Sequence, residues 1–313
     1  MPTGLWRRTE GTSPEMTDLK VRKLPWEFDE SVPFQWNREN PRFGIMMNAV
    51  SFLAPAFERF IVSSTRAAMA QITDPATLEE ADAFLRQEAI HGRAHRNHTA
   101  ALVKQYPGLK QVLVDLDASY DRVLKTEPLE YHLAYIADIE ATFTPLFSVM
   151  LNHHDKLFDI GDHRVGPLFL WHFVEEIEHR SSAKIVYDAV VPSPWYRLRV
   201  IPKVVAHVMG CFSMFCRAVD THVPAADRGI DACDMIVRPK RLTSLFERSE
   251  LPGQFEGVPR TEVITMLYRL ARAQAPNHSP ATEKVPAFAS EWFEAYEQGK
   301  DVVNWYRPAR VAG

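Results

Sequence analysis

Seven side chains in this 313-residue sequence have the type and spacing to hold metal ions: Glu58, Glu88, His91, Glu140, His172, Glu176 and His179. Two Glu-x-x-His pairs occur, Glu88-Ala89-Ile90-His91 and Glu176-Ile177-Glu178-His179, and no other glutamate has histidine three residues later. Positions i, i+3, i+4 and i+7 share one side of an α-helix, so each pair projects a carboxylate and an imidazole the same way. His172 stands four residues before Glu176 and extends that stripe by a third imidazole. Glu58, in Ala-Phe-Glu-Arg-Phe-Ile, and Glu140, in Ala-Asp-Ile-Glu-Ala-Thr-Phe, sit among apolar neighbours. The resulting order, Glu, ExxH, Glu, ExxH on four successive long helices, is the ligand order of dinuclear carboxylate bundles.

The chemistry follows from charge. Two nearby cations repel, so bridging carboxylates must neutralise them, while imidazoles leave coordination positions open and suit iron, manganese or zinc. Four carboxylates buried together with no cation would meet mutual repulsion and desolvation. Iron is the metal expected, with manganese and zinc as alternatives. Glu175 is the rival of Glu176 as ligand, or an acceptor beside it; Glu178 points toward solvent or a salt-bridge partner. His95 and His98 continue the Glu88/His91 face and either support a ligand or lie on a polar surface. Asp138 and Arg59 adjoin ligand positions, where they orient a histidine or make structural pairs. Tyr135, Phe143, Phe147 and Tyr187 read as core more readily than as the walls of a substrate cavity. Asn152-His153-His154-Asp155 reads as a polar helix end. No residue declares itself as a catalytic acid or base.

The phrases Phe-Leu-Arg-Gln-Glu-Ala-Ile-His-Gly (84–92), Trp-His-Phe-Val-Glu-Glu-Ile-Glu-His-Arg (171–180) and Ala-Pro-Ala-Phe-Glu-Arg-Phe (54–60) resemble a bacterial family described as predicted metal-dependent hydrolases. The likeness spans roughly residues 40–220. It implies a ferritin-like di-metal carboxylate bundle. Ligand order and spacing also resemble the p-aminobenzoate N-oxygenase type of di-iron protein, in which a histidine four residues before the last ExxH supplies a third imidazole. Carried over residue by residue, that resemblance implies Glu58, Glu88, His91, Glu140, His172, Glu176 and His179 as ligands.

Three functions compete. The first is a di-iron oxygenase or oxidase that uses O2 as co-substrate on a small organic molecule in an apolar pocket. Because no flavin or nicotinamide motif is visible, it needs electrons from a reductase or ferredoxin. The second is a hydrolase using a hydroxide generated by two metals. The third, metal storage or a structural bundle, is weakened by chain length, since a minimal bundle needs no helices beyond 190.

Positioning these groups requires an all-α fold, read here as a four-helix bundle with C-terminal helices. Residues 1–40 form a polar arm, 41–222 the bundle and 223–313 a helical extension packed on it. A helix begins at Phe43 and meets Pro55, which kinks or restarts it. Asp74-Pro75 caps a helix to about Gln105; others run over 109–124 and 129–154. The opening motif lies on one helix from about Asp162 to Val190. The apolar run 204–216 is shorter than the ~20 residues that span a bilayer and reads as a fully buried helix, with a membrane-surface contact as the alternative. Short helices are expected at 239–248, 261–273 and 288–299.

Composition bounds the rest. With 46% hydrophobic and 24% charged residues the chain is globular, and a net charge of −4 gives no general attraction to nucleic acid. Cys211, Cys216 and Cys233 show no CxxC spacing and fit buried thiols in a cytoplasmic protein. The expected partners are a small-molecule substrate and the electron donor, with a second copy of the chain as a further option.

Overall fold

Proline and its preceding cap set the start of the two longest helices. In the computed structural model, which describes residues 19–236 and 253–303, the Asn40 side chain accepts from the Phe43 amide (3.1 Å) and Pro41 opens α1 (Pro41–Met69). Asp74 accepts the Thr77 amide and hydroxyl (2.9 and 2.7 Å) before Pro75 opens α2 (Pro75–Gln105). Such caps contribute ~1 kcal/mol each. α1 runs unbroken through Pro55, which has no N–H to offer the Ser51 carbonyl. There follow α3 (Lys110–Thr126), α4 (Leu129–Asn152), α5 (His154–Leu157), α6 (Val165–Glu178), α7 (Ser182–Val190), α8 (Tyr196–His222), α9 (Ala225–Arg228), α10 (Arg260–Ala273) and α11 (Ala287–Glu297). No strand occurs among the described residues, and the fold is all-α.

The four helices that carry the chemistry pack in a ring: α1 against α2, α2 against α6, α6 against α4, and α4 against α1. α10 and α11 lie on α4, with α11 also reaching α6. The helix expected at 239–248 lies outside the described residues.

Three expectations need correction. The single helix over 162–190 is two, α6 and α7, broken at residues 179–181. The Arg180 guanidinium donates to the Ile177 carbonyl (2.8 Å), one of the acceptors left open where α6 stops, and Ser182 donates to buried Glu80 of α2. The break therefore has its own partners for freed backbone groups.

The second correction concerns the arm. Over residues 19–40 it has no helix or strand and turns repeatedly after residue 29, yet it is not a polar fringe: Trp26, Val32, Phe34 and Trp36 are all buried. Trp36 stacks near Phe158 and Phe169 (6.3 and 5.9 Å between centroids), and Trp26 meets Trp171 at 5.4 Å. Without a ladder of its own, this backbone is satisfied by side chains of α2. Gln87, Asn97 and Gln105 donate to the carbonyls of Lys20, Trp26 and Val32 at 2.9, 2.9 and 2.7 Å.

The third is α8, expected to be fully buried around 204–216. Only 22% of its most apolar stretch is buried, against 72% for α1 and 78% for α4. These three helices are long and apolar enough to cross a membrane by length and composition. In α1 and α4, however, the apolar residues are the core of the fold.

Candidate metal centre

Each ring helix delivers its ligand-type residue to one place. α1 brings Glu58, α2 Glu88 and His91, α4 Glu140, and α6 His172 and Glu176, with His179 at the residue where α6 ends. All seven are almost wholly buried, from 0% exposed for His91 and His179 to 4% for His172. Their oxygens and nitrogens form overlapping groups whose atoms lie within 4.8 Å of one another. One group is Glu88, Glu140, Glu176 and His179; on the other side stand Glu58, Glu88 and His91, then His91, His172 and Glu176. Glu88 and Glu176 belong to groups on both sides, the arrangement expected of carboxylates shared by two ions.

Contacts inside the cluster are short. Glu176 lies 2.8 Å from His172 Nε2 through one oxygen and 2.7 Å from His179 Nε2 through the other. His179 Nε2 is 3.2 Å from Glu88 and 3.7 Å from Glu140, and His172 Nε2 is 3.6 Å from Glu58. Short N···O contacts require a proton between the partners, and binding of a cation in its place releases that proton.

The electrostatics separate the carboxylates. Burial, with the charge of Glu176 added, raises Glu58 to about 8; burial with neighbouring carboxylates holds Glu88 and Glu140 well above the usual carboxylate range. Glu176 goes the other way: burial opposes its charge, but His179, His172 and His91 outweigh it and hold it well below that range. Burial and the His91 charge press His172 down to about 4.

Do these residues suit a metal pair? The most direct observation concerns buried side-chain atoms with no hydrogen-bond partner: of fourteen among the described residues, six are the two oxygens of Glu58, the two of Glu88, Glu140 Oε1 and His91 Nδ1. Each such atom costs ~1–3 kcal/mol if left unpaired. Whereas the other eight belong to eight separate residues outside the seven, these six meet in one cluster. Cations at its middle would satisfy them together, so the residues fit a dinuclear site.

Around the cluster stand supporting residues, of which the sequence announced Glu175 as an acceptor and Glu178 as a salt-bridge partner but not Arg22 or Gln87. His91 Nε2 donates to Glu175 (2.9 Å), which turns Nδ1 inward. Glu175 is in turn 3.3 Å from Arg22, whose two terminal nitrogens also bind Glu178 at 2.8 Å each. Burial disfavours a charged His91, yet the hydrogen bond to Glu175 and the charges of Glu175 and Glu176 prevail and raise it to about 10. Arg22 comes from the arm and is walled by Trp292, Phe293 and Tyr296 of α11 at 5.0–5.9 Å. For His179 the corresponding partner is Gln87, whose amide nitrogen donates to Glu178 and the Lys20 carbonyl. Its oxygen is left 2.9 Å from His179 Nδ1, so Nε2 faces the carboxylates.

His172 Nδ1 meets His95 Nε2 at 2.8 Å, and Ser51 Oγ joins His95 and His98 at 2.9 Å each. His95 and His98 are therefore internal supports, not surface groups. Gly92 is needed for approach: a Cβ there would stand 2.7 Å from Glu58 Oε2.

Other candidates fall elsewhere. Arg59 pairs with Asp117 and Asp121 near the surface, and Asp138 pairs with Arg197 at 2.9 Å. Tyr135 hydrogen-bonds Tyr120 and His207, Tyr187 donates to the Ser193 carbonyl, and Phe147 stacks between Phe143 and Phe173, all as core. His153 pairs with Glu262, and His154 packs on Phe288. No disulfide joins the three cysteines, and Cys211 and Cys216 are buried.

Arg22, Gln87, Ser51 and Gly92 carried no spacing signal, because their partners lie on other segments and only folding brings them together. No curated protein and no solved structure matches this chain. The model of one family, described as "predicted metal-dependent hydrolase", matches residues 20–252, well over half of the sequence, and the chain belongs to that family.

Proposed function

We propose that this protein is a dinuclear metal-dependent hydrolase whose ions are held by Glu58, Glu88, His91, Glu140, His172, Glu176 and His179. The observation that carries the reading is the set of unpartnered carboxylate oxygens turned into one buried cluster in which Glu88 and Glu176 serve both sides. Bound there, two divalent ions supply Lewis acidity toward a substrate oxygen and a water made acidic near neutral pH. The protein's own part is positional and electrostatic. Glu88 and Glu176 offset the charge of the pair; Glu175 and Gln87 fix which nitrogen of His91 and of His179 faces inward. Glu58, raised to about 8, and Glu88 and Glu140, held well above the usual carboxylate range, keep protons in the metal-free state that metal binding would release.

A second reading, oxygen activation on iron, draws on His172. A third imidazole in a core walled by Trp171 and Phe173 suits a redox metal shielded from water. It would require a reductase or ferredoxin partner. Protein reconstituted anaerobically with iron, manganese or zinc separates the two. Hydrolysis of generic esters or phosphoesters, supported by zinc or manganese without O2 uptake, is the result expected for the first. O2-dependent visible absorbance in stopped flow on the iron form, with no hydrolysis by any metal form, would replace it with the second. A chain that binds no transition metal would end both.

A further inference from the structure

α8 is the place where the molecule departs most from an ordinary surface. One side of it is core: Val200, Val204, Cys211, Phe215 and Val219 are buried, packed toward α1, α3 and α4. Beside that face runs a second apolar stripe whose middle, Pro202, Val205 and Met209, is exposed, while Leu198 and Phe212 at its ends are half-buried and Phe212 packs on the core. Leu198, Pro202, Val205, Met209 and Phe212 follow one another at spacings of four, three, four and three. At 100° per residue they fall within about 80° of the helix circumference. Val205 is 51% and Met209 40% exposed, and Trp195, just before the helix, is 66% exposed. Single exposed hydrophobes are ordinary; several on one face of one helix, with a tryptophan at its start, are not. α10 carries others, Ile264, Leu267 and Tyr268, and its end is tied to the start of α8 by Arg197 bonded to Gln274.

Charge says what the stripe meets. From Tyr196 to Val219 the chain holds Arg197, Arg199, Lys203 and Arg217 and no acidic residue, although the whole protein carries a net charge of −4. Arg197 is spent on Asp138 inside the fold, and Lys203 reaches Glu127. Arg199, Lys203 and Arg217 are exposed along one border of the apolar stripe. An amphipathic helix with aliphatic groups on one side, basic groups beside them and a tryptophan at its end is built to lie in the headgroup region of an anionic bilayer. Spanning is excluded while the inner face of α8 is packed on three helices. A second copy of the chain packed antiparallel through this face fits less well, since that two-fold contact would bring two basic borders together.

We propose that the outward face of α8, with Trp195, docks this protein peripherally on membranes containing anionic lipid. The inference is independent of the metal. Full-length protein should float with phosphatidylcholine vesicles that contain phosphatidylglycerol, much less with phosphatidylcholine alone, and less as salt rises. The double variant Val205→Glu/Met209→Glu should lose about tenfold or more of the bound fraction with circular dichroism and Tm unchanged. If that variant fails to fold, Arg199→Glu/Arg217→Glu, at exposed positions, tests the same face and should also detach the protein. Failure to float with anionic vesicles overturns the proposal, as does unaltered flotation of the folded variants. A dimer in solution that the same substitutions convert to monomer, with no vesicle binding, would assign the face to a second copy instead.

Discussion

The two Glu-x-x-His pairs are the same motif in two different settings. On α2, Glu88 and His91 lie well inside a continuous helix, and His91 presents Nδ1 because a buried carboxylate, Glu175, holds its other nitrogen. On α6, the helix ends at His179, which presents Nε2 because a neutral amide, Gln87, holds Nδ1. The carboxylates diverge as well: Glu88 is pushed well above the ordinary range by burial and neighbouring acids, while surrounding histidines hold Glu176 well below it despite burial. A motif of four residues thus specifies which groups arrive, and the partner helix specifies their orientation and charge. Each motif is completed by the other's neighbour, since Glu175 adjoins Glu176 and Gln87 adjoins Glu88.

The comparison breaks most completely at Glu176, the shared acid. Glu176→Ala should abolish binding of both ions, whereas Glu140→Ala, acting on the His179 side alone, should leave one equivalent measurable by elemental analysis. Equal losses would mean that the two sides are not distinct.

Next in size is Arg22→Met. It takes the guanidinium away from Glu175 and Glu178, a loss of about 3–5 kcal/mol for breaking a buried pair, and loosens the carboxylate that orients His91. Denaturant unfolding should show the destabilisation, and metal affinity should fall about 10- to 100-fold. Adding Glu175→Gln should restore part of the stability and none of the affinity.

Gln87→Leu tests the neutral arm. It removes an acceptor from His179 with no stranded charge on Gln87 itself, so the stability cost should be nearer 1–3 kcal/mol, again with weakened metal binding by titration calorimetry. If Gln87→Leu costs more than Arg22→Met, the contrast drawn between the arms is wrong.

The smallest effect is on pH. In the metal-free protein Glu58 (about 8), Glu88, Glu140 and His91 (about 10) keep protons that the unfolded chain has released. The native state then binds more protons, so stability falls as pH rises. His172 and His98, lowered to about 4, act in the opposite sense, but only below ~6.5, where unfolded histidine titrates. Between pH ~6.5 and about 8 the Tm of metal-free protein should therefore decline, while the stabilisation gained on adding metal should grow. A flat metal-free profile across that window would show that these carboxyls are ionised without metal.

Much of the helical framework was legible in advance. α2 begins at Pro75 behind the Asp74 cap and ends at Gln105, as its sequence signals require, because caps and prolines act over a few residues. The break after Glu178 was not legible: the periodicity of 162–190 continues across it, and the groups that stabilise it include Glu80, a hundred residues away. The aromatic residues of the arm were misread for a related reason. Between Pro25, Pro33 and Pro41 there is no period to read, and it is donors on α2 that make burial of this irregular backbone affordable.

By itself the sequence determined the helical class and the identity of the acids and imidazoles, since both rest on spacing along one chain. Tertiary structure alone decided which nitrogen of each histidine faces the cluster, which glutamate keeps its charge, that Arg22 and Gln87 stand behind the motifs, and that α8 keeps an apolar face outward. Those properties depend on desolvation and on partners from distant segments. Neither has a local sequence signature.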